Sequence, residues 1–418
     1  MSERIDVRHL QKGMYVTALD RAWEGTPFLF QGFVIQTDAE IQRLRRLCRY
    51  VYIATDFQVD RPVHPKPNLA PSSQEPTRPH KPRAKSIGIT QQQGEHPFAA
   101  DPKTLEEELP AAHALDIGSR ELAYTIMDDV RLGRSIDSDR ARKLIAGMVE
   151  SIAHNPDALI WLTNLRKKDE YTALHSVRVA ILALAFGHHL KLSIVELNIL
   201  GLGALLHDIG KLMVPNSILN KPGRLTPEEF SIMKTHVPHG VAILEKTHDV
   251  PSAAIEVASA HHERYSGSGY IYGLSGNRIG LFGLIGAIVD SYDAMTSERA
   301  YQNGISPYDA LAKLYKGRGT DYHGGLVDQF IQCMGVYPIG SIVELSTGSI
   351  GVVITGNRQR RLRPKVVLLF DAKNAPYPRN TVINLMHSSM DGSDGAIEIR
   401  RVLPPGTNNI NPSDYLPG

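Results

Sequence analysis

Ile199-Leu200-Gly201-Leu202-Gly203-Ala204-Leu205-Leu206-His207-Asp208-Ile209-Gly210-Lys211 decides the fold. Its first eight residues are apolar or small all round, the pattern of a helix buried on every side. A histidine and an aspartate then stand side by side where that helix ends. At such an end, one imidazole and one carboxylate can point at one cation. Lys211 lies one turn on and reaches the same cleft. A His-Asp pair alone also arises by chance, so its companions decide its meaning.

Those companions are numerous. His175 precedes the apolar run Val179–Phe186, and His236, the pair His261-His262 and Asp290 follow downstream. Imidazoles and carboxylates together suit a divalent transition metal. His175, His207, Asp208 and Asp290 make one ligand set, and His236, His261 and His262 can complete a second beside it. Asp208 can bridge the two, because a carboxylate has two oxygens. Two metals about 3.5–4 Å apart suit phosphodiester hydrolysis. One buried histidine on an apolar helix is usually a satisfied core residue, but this joint occurrence is not explained that way. His188, His189, His239 and His248 fit no shared spacing and read as surface or capping residues.

The rest of the chain frames this centre. With 418 residues, two or three domains are expected. Hydrophobic residues make up 42% and the net charge is +2, so a sizeable core is affordable and no nucleic-acid or membrane partner is called for. Only Cys48 and Cys333 are present, too few for a disulfide framework, which points to a reducing cytoplasm. The N-terminus lacks the apolar region of a secretion signal, and the longest apolar runs are too short to span a bilayer.

Residues 1–58 read as a small α/β domain, with strands at Met14–Leu19, Phe28–Ile35 and Tyr50–Ala54. Between them a helix has Ile41, Leu44 and Leu47 on one face and a solvated arginine-rich face. Seven prolines between Pro62 and Pro82 mark residues 59–112 as a linker. Residues 113–337 are helical almost throughout, with helix starts at Thr226-Pro227-Glu228-Glu229 and Ser306-Pro307. Residues 338–404 read as a β segment with strands at Ser341–Leu345, Ile350–Ile354 and Val366–Phe370. The basic run Arg358–Lys365 reads as a charged hairpin tip, and residues 405–418 as a polar tail. The fold class is therefore mainly α, with small β-containing modules at each end.

His207-Asp208-x-Gly-Lys211, His236, His261-His262-Glu263-Arg264, Gly267-x-Gly269-Tyr270 and Asp290-x-x-Asp293-Ala294-Met295-Thr296-Ser297-x-Arg299-x-Tyr301 resemble the HD-GYP family. The resemblance covers roughly residues 140–340. The first domain and Pro338–Leu345 also resemble a bacterial subgroup with a small N-terminal domain of unclear role. The resemblance implies a helical hydrolase that opens cyclic di-GMP to linear pGpG and often on to GMP. It implies two divalent ions, with iron or manganese favoured over zinc or nickel. His175, His207, Asp208 and Asp290 would hold one ion and His236, His261 and His262 the other, with Asp208 bridging. Lys211 would touch the scissile phosphate or the bridging hydroxide, and Asp293 would pair with Lys211. Arg299 would contact a substrate phosphate, and Tyr270 would line the site or its lid. Gly269-Tyr270-Ile271 would be a surface for diguanylate cyclase domains.

Three residues depart from the family pattern. Ile271 replaces the proline of Gly-Tyr-Pro, which predicts a looser or reshaped loop because proline fixes φ. Tyr171 stands where some members place a glutamate for a third metal. Gln302 stands where many carry a basic residue near the substrate phosphate, so the neutral amide predicts weaker anion binding. Two other functions compete with hydrolysis of cyclic di-GMP: a catalytically weak or inactive cyclic-dinucleotide receptor, and a hydrolase of another cyclic dinucleotide.

Overall fold

A computed structural model of the chain describes residues 2–21, 33–35, 38–54, 102–164, 171–297, 304–357, 360–378, 381–387 and 396–415. The chain divides into two compact units, Met1–Lys85 and Ser86–Gly418.

In the first unit, strands β1 (Ser2–Asp6), β2 (Tyr15–Leu19), β3 (Phe33–Val34) and β4 (Tyr50–Ala54) form a sheet of order β1-β4-β2-β3, and helix α1 (Asp38–Leu47) lies between β3 and β4 in sequence. All three pairings are antiparallel, with Ser2 opposite Ala54 and Tyr15 opposite Val34. Val16, Ile35, Leu44 and Val51 are fully enclosed in its core. Ile41 and Leu44 are buried and Leu47 partly so, as their spacing predicts, while Arg43, Arg46 and Arg49 face solvent. Arg45 departs from a purely solvated role, since it donates to the carbonyls of Val7 and Arg8. Most of the expected strand Phe28–Ile35 lies outside the described residues, as do residues 59–101.

The second unit begins with α2 (Leu105–Arg131), which starts inside the segment expected to be linker. Thr104 and Glu107 form a reciprocal capping box, and Leu105 and Ala112 are buried. Pro110 forfeits one ladder bond, but the cap and the apolar burial offset that loss. Then follow α3 (Ser138–His154), α4 (Pro156–Asn164), α5 (Tyr171–His189) and α6 (Ile194–Leu206). Ser193 and Glu196 cap α6, and eight of its thirteen residues are buried, as an apolar run without a polar face requires.

Short α7 (Asn216–Leu219) leads to α8 (Pro227–Lys234), α9 (His236–Lys246), α10 (Ser252–Ala260) and α11 (Leu281–Thr296), with α12 (Pro307–Lys316) and α13 (Gly324–Met334) closing the helical part. The expected starts of α8 at Thr226 and of α12 at Ser306 are present, each capped by its hydroxyl. Two close approaches fix the layout. A Cβ at Gly203 would run into the backbone of α10, and one at Gly210 into the carbonyl of His236. Glu256 of α10 accepts from the N–H groups of Phe282 and Gly283 at 2.9 and 3.2 Å, tying α10 to the start of α11.

Strands β5 (Ile342–Leu345), β6 (Ile350–Thr355), β7 (Lys365–Phe370), β8 (Val382–Asn384) and β9 (Ile399–Val402) form an antiparallel sheet of order β8-β7-β6-β5-β9. Two expectations are corrected here. Arg363 is not part of a solvated hairpin tip: it is buried and donates to the Ile397 carbonyl at 2.7 Å and to Glu398 at 2.9 Å. The segment after Pro404 is not a free polar tail, because Ile410 is buried and two short 3₁₀ turns follow the sheet.

Candidate metal centre

The site is assembled from helix ends. His207 ends α6, and Asp208 leads into a 3₁₀ turn at Ile209–Met213 that carries Lys211. His236 opens α9, while His261 ends α10 with His262 next to it. His175 projects from α5, and Asp290 and Asp293 from α11. The sequence therefore spreads these residues over five helices, and the fold brings them to one point.

Asp208 is the hub. Its Oδ2 lies 3.4 Å from His175 Nε2 and 3.2 Å from His207 Nε2. Its Oδ1 lies 3.5 Å from His236 Nε2 and 3.7 Å from His261 Nε2. Asp208, His236, His261 and His262 place ligand atoms within 4.8 Å of one another, and so do His175, His207 and Asp208. Asp290 joins the second group, with an oxygen 3.1 Å from His175 Nε2 and 3.9 Å from His207 Nε2.

The donor set fits a cation. Each of four histidines uses Nδ1 elsewhere, which leaves Nε2 to the site. His207 pairs with the Ala204 carbonyl at 2.7 Å, His236 with that of Met233 at 2.7 Å and His261 with that of Ala258 at 3.0 Å. His175 Nδ1 donates to Asp293 Oδ2 at 2.7 Å. Such outer partners fix the tautomer and raise ligand basicity. Among the described residues, His207 Nε2 and Asp208 Oδ1 are buried without a hydrogen-bond partner. A bare imidazole lone pair facing carboxylate oxygen is repulsive and costly when buried, and a positive charge between them removes that cost.

The electrostatics agree. Burial pushes His261 and His236 down from the ordinary imidazole value and takes His262 to about 3, which favours the neutral imidazole that a metal ion needs. Burial opposes ionisation of Asp208, but His207 and Lys211 outweigh it and hold the carboxyl well below its usual range. Asp290's own burial opposes ionisation in the same way, but His175 above all outweighs it and holds the carboxyl well below its usual range. For His175, burial is outweighed by Asp208, Asp290 and Asp293, which raise it to about 10. Three carboxylates around one imidazole want a positive charge there, whether a proton or a metal ion.

The expected pairing of Asp293 with Lys211 is corrected. Lys211 Nζ sits 2.5 Å from Asp208 Oδ2. Asp293 instead accepts from His175 and from Arg178, whose Nε and Nη2 reach it at 2.7 and 3.0 Å. Arg178 is three residues after His175 on α5, so both face Asp293. That i, i+3 spacing is the signal the sequence offers for the pair.

Tyr270 lines the cleft, its ring 4.8 Å from that of His262. Its loop, where Ile271 stands in place of proline, is tied back by a buried carboxylate. Glu263, fully buried, accepts from the N–H groups of Tyr272 at 2.7 Å and Leu274 at 3.1 Å. Gly269 presses on the backbone of Glu263 and Arg264, where a Cβ would collide. Arg299, Tyr301 and Gln302 lie outside the described residues, and so does the side chain of Tyr171. Among the described residues, no helix is long and apolar enough to cross a membrane.

Comparison with known proteins places this geometry. Residues 152–326 match the HD domain family, residues 2–141 a domain of unknown function, and residues 342–390 a KOW domain associated with HD domains. A cyclic di-GMP phosphodiesterase of Pseudomonas aeruginosa is 33% identical over 91% of this chain and 89% of its own length. The cyclic di-GMP phosphodiesterase response regulator RpfG of Xanthomonas campestris is 33% identical over 52% of this chain and 59% of its own length. A 3'3'-cGAMP-specific phosphodiesterase of Vibrio cholerae is 35% identical over 38% of this chain and 31% of its own length. HD domains bind divalent metals, and the buried His/Asp cluster around Asp208 could hold such an ion. With a relative matched along nearly its whole length, the chain belongs to the HD-domain family, in its HD-GYP branch.

Proposed function

We propose that this protein is a metal-dependent phosphodiesterase that hydrolyses cyclic di-GMP, with linear pGpG as the first product. The observation that carries the reading is the double ligand set around one carboxylate, with a lysine against the same carboxylate. Asp208 has one oxygen toward each set, which supports a binuclear centre with Asp208 as the bridge. His175, His207 and Asp290 would complete one ion's shell and His236, His261 and His262 the other's. Bound there, divalent ions would neutralise charge on the phosphate and activate a water for attack. Iron or manganese is the pair we favour, with zinc and nickel also compatible with the ligands.

The chain's own residues supply the rest. The Lys211 side chain is mostly buried beside Asp208, at the edge of the cleft. An ammonium there cannot ligate a cation, so its work is to stabilise charge growing on the phosphate as the bond breaks. Tyr270 walls the cleft; burial and the nearby Asp290 and Asp208 carboxylates keep its phenol neutral and able to donate. From the family pattern, Arg299 would contact a substrate phosphate and Gln302 would be a weaker contact. Ile271 and Tyr272 are exposed on the loop and offer a surface to a partner such as a diguanylate cyclase domain. The cytoplasm is the proposed location.

The test is a panel. Purified chain loaded separately with iron, manganese, zinc or nickel is given cyclic di-GMP, 3'3'-cGAMP and cyclic di-AMP, and products are resolved by chromatography. Cleavage of cyclic di-GMP ahead of the others supports the reading. Preferential cleavage of 3'3'-cGAMP would move the protein to the substrate named for its Vibrio relative. Tight binding without turnover on any metal would make it a receptor.

A further inference from the structure

From the metal centre toward solvent runs a line of rings. His261 and His262 have centroids 4.0 Å apart, His262 and Tyr270 4.8 Å, and Tyr270 and Phe230 5.7 Å. The last ring is unusual. Phe230 projects from α8, no residue of which is buried, and is 42% exposed, a poor place for a phenyl ring that only packs. Its ring stands at 85° to that of Tyr270, so the two make a corner rather than a stack. Lys234, one turn further along α8, holds its ammonium 5.3 Å from the Phe230 centroid and 5.9 Å from that of Tyr270.

A corner of two aromatic rings beside a cation, one residue beyond a phosphate-handling centre, matches one part of a nucleotide. We propose that Phe230 and Lys234, with the ring of Tyr270, form the seat for one guanine base of the cyclic dinucleotide. This rests on the cyclic-dinucleotide reading above and adds to it the residues that hold and select a base. Phe230, 42% exposed, supplies aromatic surface for stacking, which is favourable for any base. Lys234 supplies the selection. An ammonium has three donors and no acceptor. Guanine presents two acceptors, O6 and N7, on the edge that a lysine reads, whereas adenine presents N7 beside an amino donor. A lysine at the rim therefore favours guanine and gains nothing from the adenine amino group.

The experiment measures two quantities on the full chain: KM with metal loaded, and Kd by calorimetry after chelation has stopped turnover. Cyclic di-GMP and cyclic di-AMP are the ligands; Phe230→Ala, Phe230→Tyr and Lys234→Met are the variants. Loss of the stacking face should raise both constants for cyclic di-GMP about 5- to 150-fold, and Phe230→Tyr should restore most of the loss. Lys234→Met should shrink the preference for cyclic di-GMP over cyclic di-AMP about tenfold, the size of a lost base-edge contact. Both side chains are on an open helix face, and metal content with circular dichroism verifies that the variants fold. Wild-type constants in Phe230→Ala, or an unchanged preference in Lys234→Met, would overturn the seat. Wild type that binds cyclic di-GMP without cleaving it would overturn the hydrolase reading alone, and the seat would then be judged on Kd.

Discussion

Asp293 accepts a hydrogen bond from Nδ1 of His175 at 2.7 Å and is held at both of its oxygens by Arg178. Ser297 adds its hydroxyl to the same carboxylate at 3.2 Å. Asp293 is placed to orient the His175 ring, and Arg178 to hold Asp293. Such outer contacts typically matter 10- to 100-fold in metal affinity. Asp293→Ala should weaken metal binding by about that factor, read as metal retained against a graded chelator. Arg178→Met should weaken it less, since Asp293 keeps its bond to His175. Full wild-type retention in Asp293→Ala would show that His175 needs no orienting partner.

Asp208→Ala removes the one residue common to both ligand groups. Both sets lose a ligand at once, so metal content should fall to background and turnover with it. Removal of a ligand of one set only, as in His236→Ala, should leave the other set competent to retain an ion. Metal content measured by mass spectrometry separates the two. Near wild-type content in Asp208→Ala would show that Asp208 is not the bridge.

Lys211→Ala should retain metal and bind substrate nearly as well as wild type, yet turn over about 10²- to 10³-fold more slowly, the usual loss when one transition-state contact is removed. The alternative is a lysine that only settles Asp208, with which it makes a 2.5 Å contact. In that case metal retention would fall and kcat at saturating metal would recover.

How much of this was legible in the sequence follows from where the signals lie. Ligands at helix ends are readable because an apolar run fixes the helix and the polar pair marks its end, as with Leu206, His207 and Asp208. The partner of Asp293 was not readable in the same way. Two cations, Lys211 and Arg178, are both plausible in one dimension, and only the packing of α5 against α11 decides between them. Glu263 was legible as part of a motif but not as an anchor, since its two bonds go to main-chain N–H groups nine and eleven residues on. The start of α2 was legible and was masked by its surroundings. Thr104-x-x-Glu107 is a capping signature, but Pro110 and the proline-rich stretch before it outweighed it.

That start has a consequence for truncation. A chain beginning at Pro102 keeps the Thr104 cap and the buried Leu105 and Ala112, whereas one beginning at His113 loses all three. Loss of a cap alone costs about 1 kcal/mol, and loss of a buried leucine side chain roughly 2–5 kcal/mol more. The Pro102 form should therefore melt several degrees above the His113 form by differential scanning calorimetry. Equal melting temperatures would show that the first turns of α2 add nothing to the catalytic unit.

The pH dependence of the chelated protein follows from two opposed shifts. Burial holds His262 at about 3 when folded, and pushes His236 and His261 down as well. Unfolded, these imidazoles titrate near about 6.5. Below that pH the unfolded chain binds protons that the folded chain refuses, so stability falls as pH drops from about 6.5 toward 3. His175 has the opposite sign, because its carboxylate neighbours outweigh burial and raise it to about 10. Its proton is retained by the folded state between 6.5 and 10 and not by the unfolded state, so its contribution is full below about 6.5 and is lost as pH rises through 10. Metal-free protein should therefore be most stable near neutrality and lose stability on both sides. Bound divalent ions take the place of the His175 proton, so the alkaline loss should be smaller in metal-loaded protein, while the acid loss becomes loss of metal as ligands protonate. Melting temperatures from pH 5 to 9, with and without chelator, test this. An alkaline limb equally steep in both forms would show that His175 does not exchange its proton for a metal.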